Sequence, residues 1–290
     1  MRPWTKDDEL RFALAFALRR VRPLLRRIVL ETHADEHTDP QKLHGVKPQP
    51  AVRVSKGGEA DPPAHAPKPS RPPYTKIFAD KLVELAGQDA RIVGVTAAMP
   101  DGTGLSQLAD SHPGQFHDVG ICEQHAVAFA GGLAKGDMRP VAAIYSTFLQ
   151  RGYDQVFQEL LIQQAPCVLA LDRAGLVDDG ATHHGVFDIA YLRTMPDVTL
   201  MAPANADELE AMLEWALAQQ EIRPGVVAIR YPRDEAPLAT EPVAPLELGR
   251  AQVLREGEDV ALVAYGTMVP LAQATAAALA ETGVEATVVD

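Results

Sequence analysis

Cysteine is nearly missing from this chain: Cys122 and Cys167 are the two among 290 residues, both in apolar surroundings and neither at metal-ligand spacing. That excludes a disulfide framework and a thiolate metal site, and it suits reduced thiols in the cytoplasm. No apolar run is long enough to cross a bilayer, and Met1 to Leu30 is broken by charge throughout, unlike a secretory signal. Positive charge is scarce beyond the start. Residues 1–30 carry eight Lys and Arg against three Asp and Glu, whereas the rest of the chain holds nineteen against thirty-six, within a net charge of −12. So acidic a body excludes nucleic acid as a partner, and nothing in it calls for a membrane.

What is present falls into segments. Asp7 to Val29 spaces Leu10, Leu14, Leu18, Val21, Leu25 and Ile28 on a helical repeat, with arginines between them, and predicts a basic amphipathic helix kinked at Pro23. Residues 31–73 lose periodicity and become rich in Pro, His, Lys and Ala, as a linker does. From Tyr74 the texture alternates. Helices are predicted over 74–86, 123–135, 151–164 and 206–219, and strands over 92–95, 141–144, 167–171, 199–202 and 226–230. Continuous apolar strands separated by helices argue for an α/β fold, a parallel sheet with helices on both faces. A second Pro-rich linker covers 238–246, followed by a strand at 259–265, a helix at 269–281 and a strand at 286–289. One such unit is too small to bury a sheet, so this last domain is expected to be cut short.

Ligands of parallel sheets gather at the carboxyl ends of the strands, where this sequence concentrates its unusual residues. Tyr145 and Phe148 follow one strand, Asp172 and Arg173 the next, Tyr231 and Arg233 another. Glu123 stands at a strand-to-helix turn, led in by Val119 and Ile121, before a helix of small residues (Ala126, Ala128, Ala130, Gly131, Gly132) that lets backbone or ligand approach closely. Each has a plain alternative. Glu123 could do no more than complement the helix dipole, 145–155 could be a loop capped by Ser146 or Thr147, and an arginine at a strand end is often a solvated charge. His183 and His184, being adjacent, point opposite ways in an extended segment, which argues against a shared metal. Taken together these residues supply a carboxylate, a stacking aromatic, a histidine and an anion clamp at one sheet edge.

The runs Asp118-Val-Gly-Ile-Cys-Glu-Gln-His125, Tyr145-Ser-Thr-Phe-Leu-Gln-Arg151, Asp172-Arg-Ala-Gly175, Asp179-Gly-Ala-Thr-His-His-Gly185 and Arg230-Tyr-Pro-Arg233, in this order, resemble the pyrimidine-binding domain of the 1-deoxy-D-xylulose-5-phosphate synthases, thiamine-diphosphate enzymes of the transketolase superfamily. The resemblance continues through Gly266-Thr-Met-Val269, and Asp39 to Val46 is similar to the tail of the family's N-terminal domain. It implies a basic helix and linker with an N-terminal remnant at 1–73, the pyrimidine-binding domain at 74–237 and the beginning of a C-terminal domain at 247–290. It implies Glu123 as the carboxylate that bonds the pyrimidine of thiamine diphosphate, Ile121 and Phe148 as further cofactor contacts, and Tyr145, Arg173 and Arg230 as holders of a substrate phosphate. His183 and Asp179 would handle protons, and Arg151 would be a further pocket residue. Pyruvate and glyceraldehyde 3-phosphate are the implied substrates and a homodimer the implied assembly.

Departures carry equal weight. No Gly-Asp-Gly run exists to hold the diphosphate through Mg²⁺, so no metal ligand is assigned to this chain and those ligands are expected on a domain that it lacks. The turn Gly175 to Gly180 is one residue shorter than the family's form, and Asp234 stands where the family has glycine. The expectation is a partial synthase, inactive alone. Its rivals are the C-terminal subunit of a split transketolase-type enzyme, completed by a separate diphosphate-binding subunit, and a non-catalytic interaction module.

Overall fold

A computed structural model describes residues 72–222, 225–239 and 242–290. The helix expected at 7–29 and the stretch 39–46 lie outside the described residues, as does the first linker apart from Pro72 and Pro73.

Six parallel strands form the main sheet: β1 (Ile92–Thr96), β2 (Phe116–Asp118), β3 (Arg139–Tyr145), β4 (Cys167–Asp172), β5 (Val198–Met201) and β6 (Val226–Arg230), in the spatial order β2-β1-β3-β4-β6-β5. Every residue of β1 and β4 is buried, as expected of strands covered on both faces. Alternation divides their side chains between two cores. Val141, Ala143, Val168, Ala170, Val227 and Ile229 face α1 (Tyr74–Gln88) and the long helix Ala206–Ile222. Ala142, Ile144, Leu169, Leu171 and Ala228 face Glu123–Lys135, numbered α2 here, and the segment Val156–Ile162.

The helix expected over 151–164 is a composite. Gln150–Gly152 is a 3₁₀ turn, Tyr153–Gln155 a single α turn and Val156–Ile162 a π-helix. Apolar periodicity does not separate these windings. A Cβ on Gly131 would meet Glu159 O at 3.0 Å, and one on Gly152 would meet Val127 Cγ2 at 3.1 Å, so the segment is seated on α2 at two glycines. The three-residue β2 escaped sequence reading because it is too short to show a period.

A second, three-stranded sheet has the order β7-β9-β8, from β7 (Val253–Arg255), β8 (Val260–Val263) and β9 (Ala286–Val289), with the helix Val269–Ala280 beside it. β8 and β9 are parallel, and β7, absent from the sequence reading, runs antiparallel to β9. Its core is small: Ala276, Ala286 and Val288.

Candidate active site

Three neighbouring strands end together. Tyr145 pairs in register with Asp172 and Leu171 with Arg230, so the side chains that follow β3, β4 and β6 share one edge of the sheet. Glu123 reaches that edge by way of Asp118, the last residue of β2, whose Oδ1 accepts from Ala98 N (2.7 Å) and Gly120 N (2.9 Å). Gly120 takes the left-handed conformation (φ +74°) that closes the turn, and α2 starts three residues later.

Glu123 is 2% exposed. Its carboxylate accepts from Arg151 Nη1 at 3.1 and 3.3 Å, and the Arg151 side chain is 54% exposed. A buried carboxylate is thus covered by a half-exposed guanidinium, which lies on the solvent side of the pair. The same guanidinium lies 5.9 Å from the centre of the Phe148 ring. Phe148 stacks on Tyr145 (5.4 Å, 10° between planes) and makes a T-shaped contact with the His183 ring (5.3 Å). Beyond Tyr145 comes Arg173, its guanidinium 3.9 Å from the ring centre. Burial pushes the Tyr145 phenol up to about 12, so at neutral pH it keeps its proton and donates.

The remaining expected residues are more firmly engaged than sequence alone suggests. Arg173 Nη1 donates to Asp172 Oδ1 (2.9 Å) and to Gly102 O, while its Nε is buried with no hydrogen-bond partner among the described residues. Arg230 Nε donates to Asp188 Oδ2 (2.9 Å), and Asp188 is fully enclosed. Arg233 Nη1 donates to both Asp179 oxygens at 2.6 Å, and that hydrogen-bonded guanidinium holds the Asp179 carboxyl below the usual carboxylate range. The excursion carrying Asp179 and His183 is closed at its base by reciprocal backbone bonds between Gly175 and Gly185 (2.7 and 2.8 Å) and tied to the site by Thr147 Oγ1 donating to Thr182 O. Residues 181–183 form a turn rather than the extended segment expected, and the two histidines have different partners: His183 shares a hydrogen bond with Thr182, and His184 accepts from Val177 N. Ile121 is 77% exposed, on the turn before Glu123 and facing away from the core.

Residues that sequence reading passed over include Asp118, Asp188 and Gly102. A Cβ on Gly102 would overlap Tyr145 Oη, so this glycine makes the floor of the aromatic stack. Asp118 opens one of the quoted runs but was given no role there, and no run includes Asp188 or Gly102, whose contacts with Arg230 and Arg173 span 42 and 71 residues.

The donor set fits the pyrimidine half of thiamine diphosphate: a buried carboxylate with a partner on its solvent side stands near an aromatic ring. It does not fit the diphosphate and metal half. Among the described residues no group of three or more His, Cys, Asp or Glu is arranged to hold a metal ion. Nor, among them, is any helix long and apolar enough to cross a membrane.

Comparison with known proteins agrees with this geometry. Residues 70–238 match the family described as transketolase, pyrimidine binding domain, and residues 249–290 match the transketolase C-terminal domain. The chain is 56% identical over 226 residues to 1-deoxy-D-xylulose-5-phosphate synthase of Thermomicrobium roseum, covering 77% of this chain and 35% of that protein. It is 43% identical over 289 residues to the Heliobacterium modesticaldum synthase, covering 98% of this chain and 43% of that one. Thus it spans less than half the length of these curated relatives. Among solved structures, a split-gene transketolase, described as an inactive β4 tetramer, superposes with a TM-score of 0.67 at 30% identity over 75% of this chain and 70% of that one. A transketolase mutant from Pichia stipitis, at 18% identity and TM-score 0.66 over 78% of this chain and 36% of that one, supports the fold alone. With the matched domain filling more than half of its length, the chain belongs to the transketolase pyrimidine-binding domain family.

Proposed function

We propose that this chain provides the pyrimidine-binding half of a 1-deoxy-D-xylulose-5-phosphate synthase, which condenses pyruvate with glyceraldehyde 3-phosphate and releases carbon dioxide in isoprenoid precursor synthesis. The observation that carries the reading is the continuous contact Glu123–Arg151–Phe148–Tyr145–Arg173 at one sheet edge, in a chain 43–56% identical to synthases. Bound thiamine diphosphate supplies the carbon nucleophile and the electron sink for decarboxylation. Glu123 holds a proton at the pyrimidine ring nitrogen, in a buried setting that strengthens that hydrogen bond. Phe148 offers its face to the pyrimidine, and Ile121 packs beside it. Tyr145, Arg173 and Arg230 hold the substrate phosphate by charge-assisted bonds. His183 delivers the proton that the aldehyde oxygen acquires when the new carbon–carbon bond forms, with the ionised Asp179 carboxylate beside it to favour that transfer. Mg²⁺ and the diphosphate are held by a separate diphosphate-binding domain or subunit. Domain limits of 1–73, 74–237 and 247–290, a cytoplasmic location and a homodimer complete the reading.

A second reading has its own support. The solved split-gene chain is covered over 70% of its length, and its description names it inactive as a β4 assembly. We therefore infer that this chain too is inactive alone and is completed by a partner. The test is calorimetric titration of the chain with thiamine diphosphate and Mg²⁺, alone and after mixing with a diphosphate-binding subunit, followed by pyruvate and glyceraldehyde 3-phosphate. Binding and turnover in the mixture alone support the proposal. Turnover by the isolated chain refutes the requirement for a partner, and an inert mixture favours a non-catalytic interaction module.

A further inference from the structure

We propose that Asp172 is a positioning residue, holding the Arg173 guanidinium over the Tyr145 ring in one fixed orientation toward an anionic group of the substrate. The proposal rests on the reading of Tyr145 and Arg173 as the substrate-phosphate site. Asp172 is the last residue of β4 and has no exposed surface. Its Oδ1 accepts from Arg173 N (2.7 Å) and Arg173 Nη1 (2.9 Å), and its Oδ2 accepts from Thr75 Oγ1 (2.7 Å). One carboxylate thereby grips both the backbone and the side-chain end of the same arginine.

Arg173 needs that grip. Its backbone is left-handed (φ +57°), a region costly for any residue with a Cβ, and Ala174 N, donating to Tyr231 O at 3.0 Å, pins only the following residue. The guanidinium has the Tyr145 face on one side and Gly102 O at one end, and Asp172 supplies the balancing charge. Stability alone does not explain a carboxylate here. Burial pushes its pKa up despite the neighbouring arginine, and apolar replacements of buried ion pairs are often as stable or more so. The cost of burying the charge has a use if it fixes where Arg173 points.

The rival role is a tie between α1 and the sheet through Thr75, and the two roles separate experimentally. The full chain, carrying ¹³C-labelled tyrosine and ¹⁵N-labelled arginine, is titrated with inorganic phosphate. In the unaltered protein the Arg173 guanidinium protons should resonate separately and upfield, held in the ring current of Tyr145, with the ring signal assigned from Tyr145→Phe. A freely rotating Arg173 overturns the proposal without recourse to any variant. Asp172→Asn should move the Tyr145 signal and weaken phosphate binding by roughly tenfold, as should Arg173→Ala. Thr75→Val, which breaks the tie and leaves the Asp172–Arg173 contact, should keep phosphate affinity within about threefold. Equal losses in Asp172→Asn and Thr75→Val, or no loss in Asp172→Asn, refute positioning. If the unaltered chain shows no phosphate response, the phosphate-site reading fails, and the Arg173 signals still decide whether Asp172 positions it.

Discussion

Gly102 offers the sharpest test of the aromatic stack. It lies in the short helix Pro100–Thr103, at a backbone conformation open to any residue, so alanine carries no conformational penalty there. The obstacle is Tyr145. An alanine Cβ would overlap Tyr145 Oη and stand 2.9 Å from Tyr145 Cζ, against about 3.5–4.0 Å for an unstrained carbon contact. Retreat is blocked, since the ring is 3% exposed and lies between Phe148 and the Arg173 guanidinium. Gly102→Ala should therefore cost about 1–3 kcal/mol, the usual range for overpacking, and displace a ring of the proposed phosphate site. Tyr145→Phe removes the atom in worst conflict and leaves the milder Cζ contact. Urea unfolding of the two single variants and the double variant measures the coupling, and the double variant should recover more than half of the Gly102→Ala loss. Wild-type stability in Gly102→Ala, or strict additivity in the double variant, would refute the reasoning.

Further expectations concern charge, assembly and chemistry. Asp89 accepts from Arg91 (2.7 and 3.0 Å) and Arg139 (2.8 Å), and these guanidiniums hold its pKa well below the usual carboxylate range. A depressed native pKa contributes stability that is present above the unfolded value of about 3.9 and lost as pH falls through the native one, so the urea midpoint should drop between about pH 4.5 and about pH 2 by less in Asp89→Asn than in the unaltered chain. Gly132 is exposed on α2, and a Cβ there would have nothing within 4 Å, whereas Gly131 abuts Glu159 O. Gly132→Leu should leave the fold intact by circular dichroism and abolish self-association in sedimentation, if the small-residue face of α2 joins two copies. In the enzyme reconstituted with its diphosphate-binding partner, Glu123→Gln should lower turnover at least roughly a hundredfold, the low end for loss of a positioned acid–base group, without lowering the thermal midpoint. Activity within threefold of the unaltered enzyme would remove Glu123 from the chemistry.

Much was legible in the residues themselves. The apolar runs at 92–95, 141–144, 167–171 and 226–229 announce a doubly covered parallel sheet because strands buried on both faces have few polar positions, and Tyr145, Asp172 and Arg230 directly follow three of them at the strand ends. Other features depend on contacts distant in sequence. Asp188 neutralises Arg230 across 42 residues, Arg233 restrains Asp179 across 54, and Gly102 O meets Arg173 across 71. The change of winding along 150–162 and its close approach to α2 at Gly131 and Gly152 are features to which apolar periodicity is blind. Local pattern determined which residues stand at the sheet edge, because burial and period act within a strand or helix. Tertiary structure alone decided which of those charges are already spoken for, because an ion pair depends on distance in space.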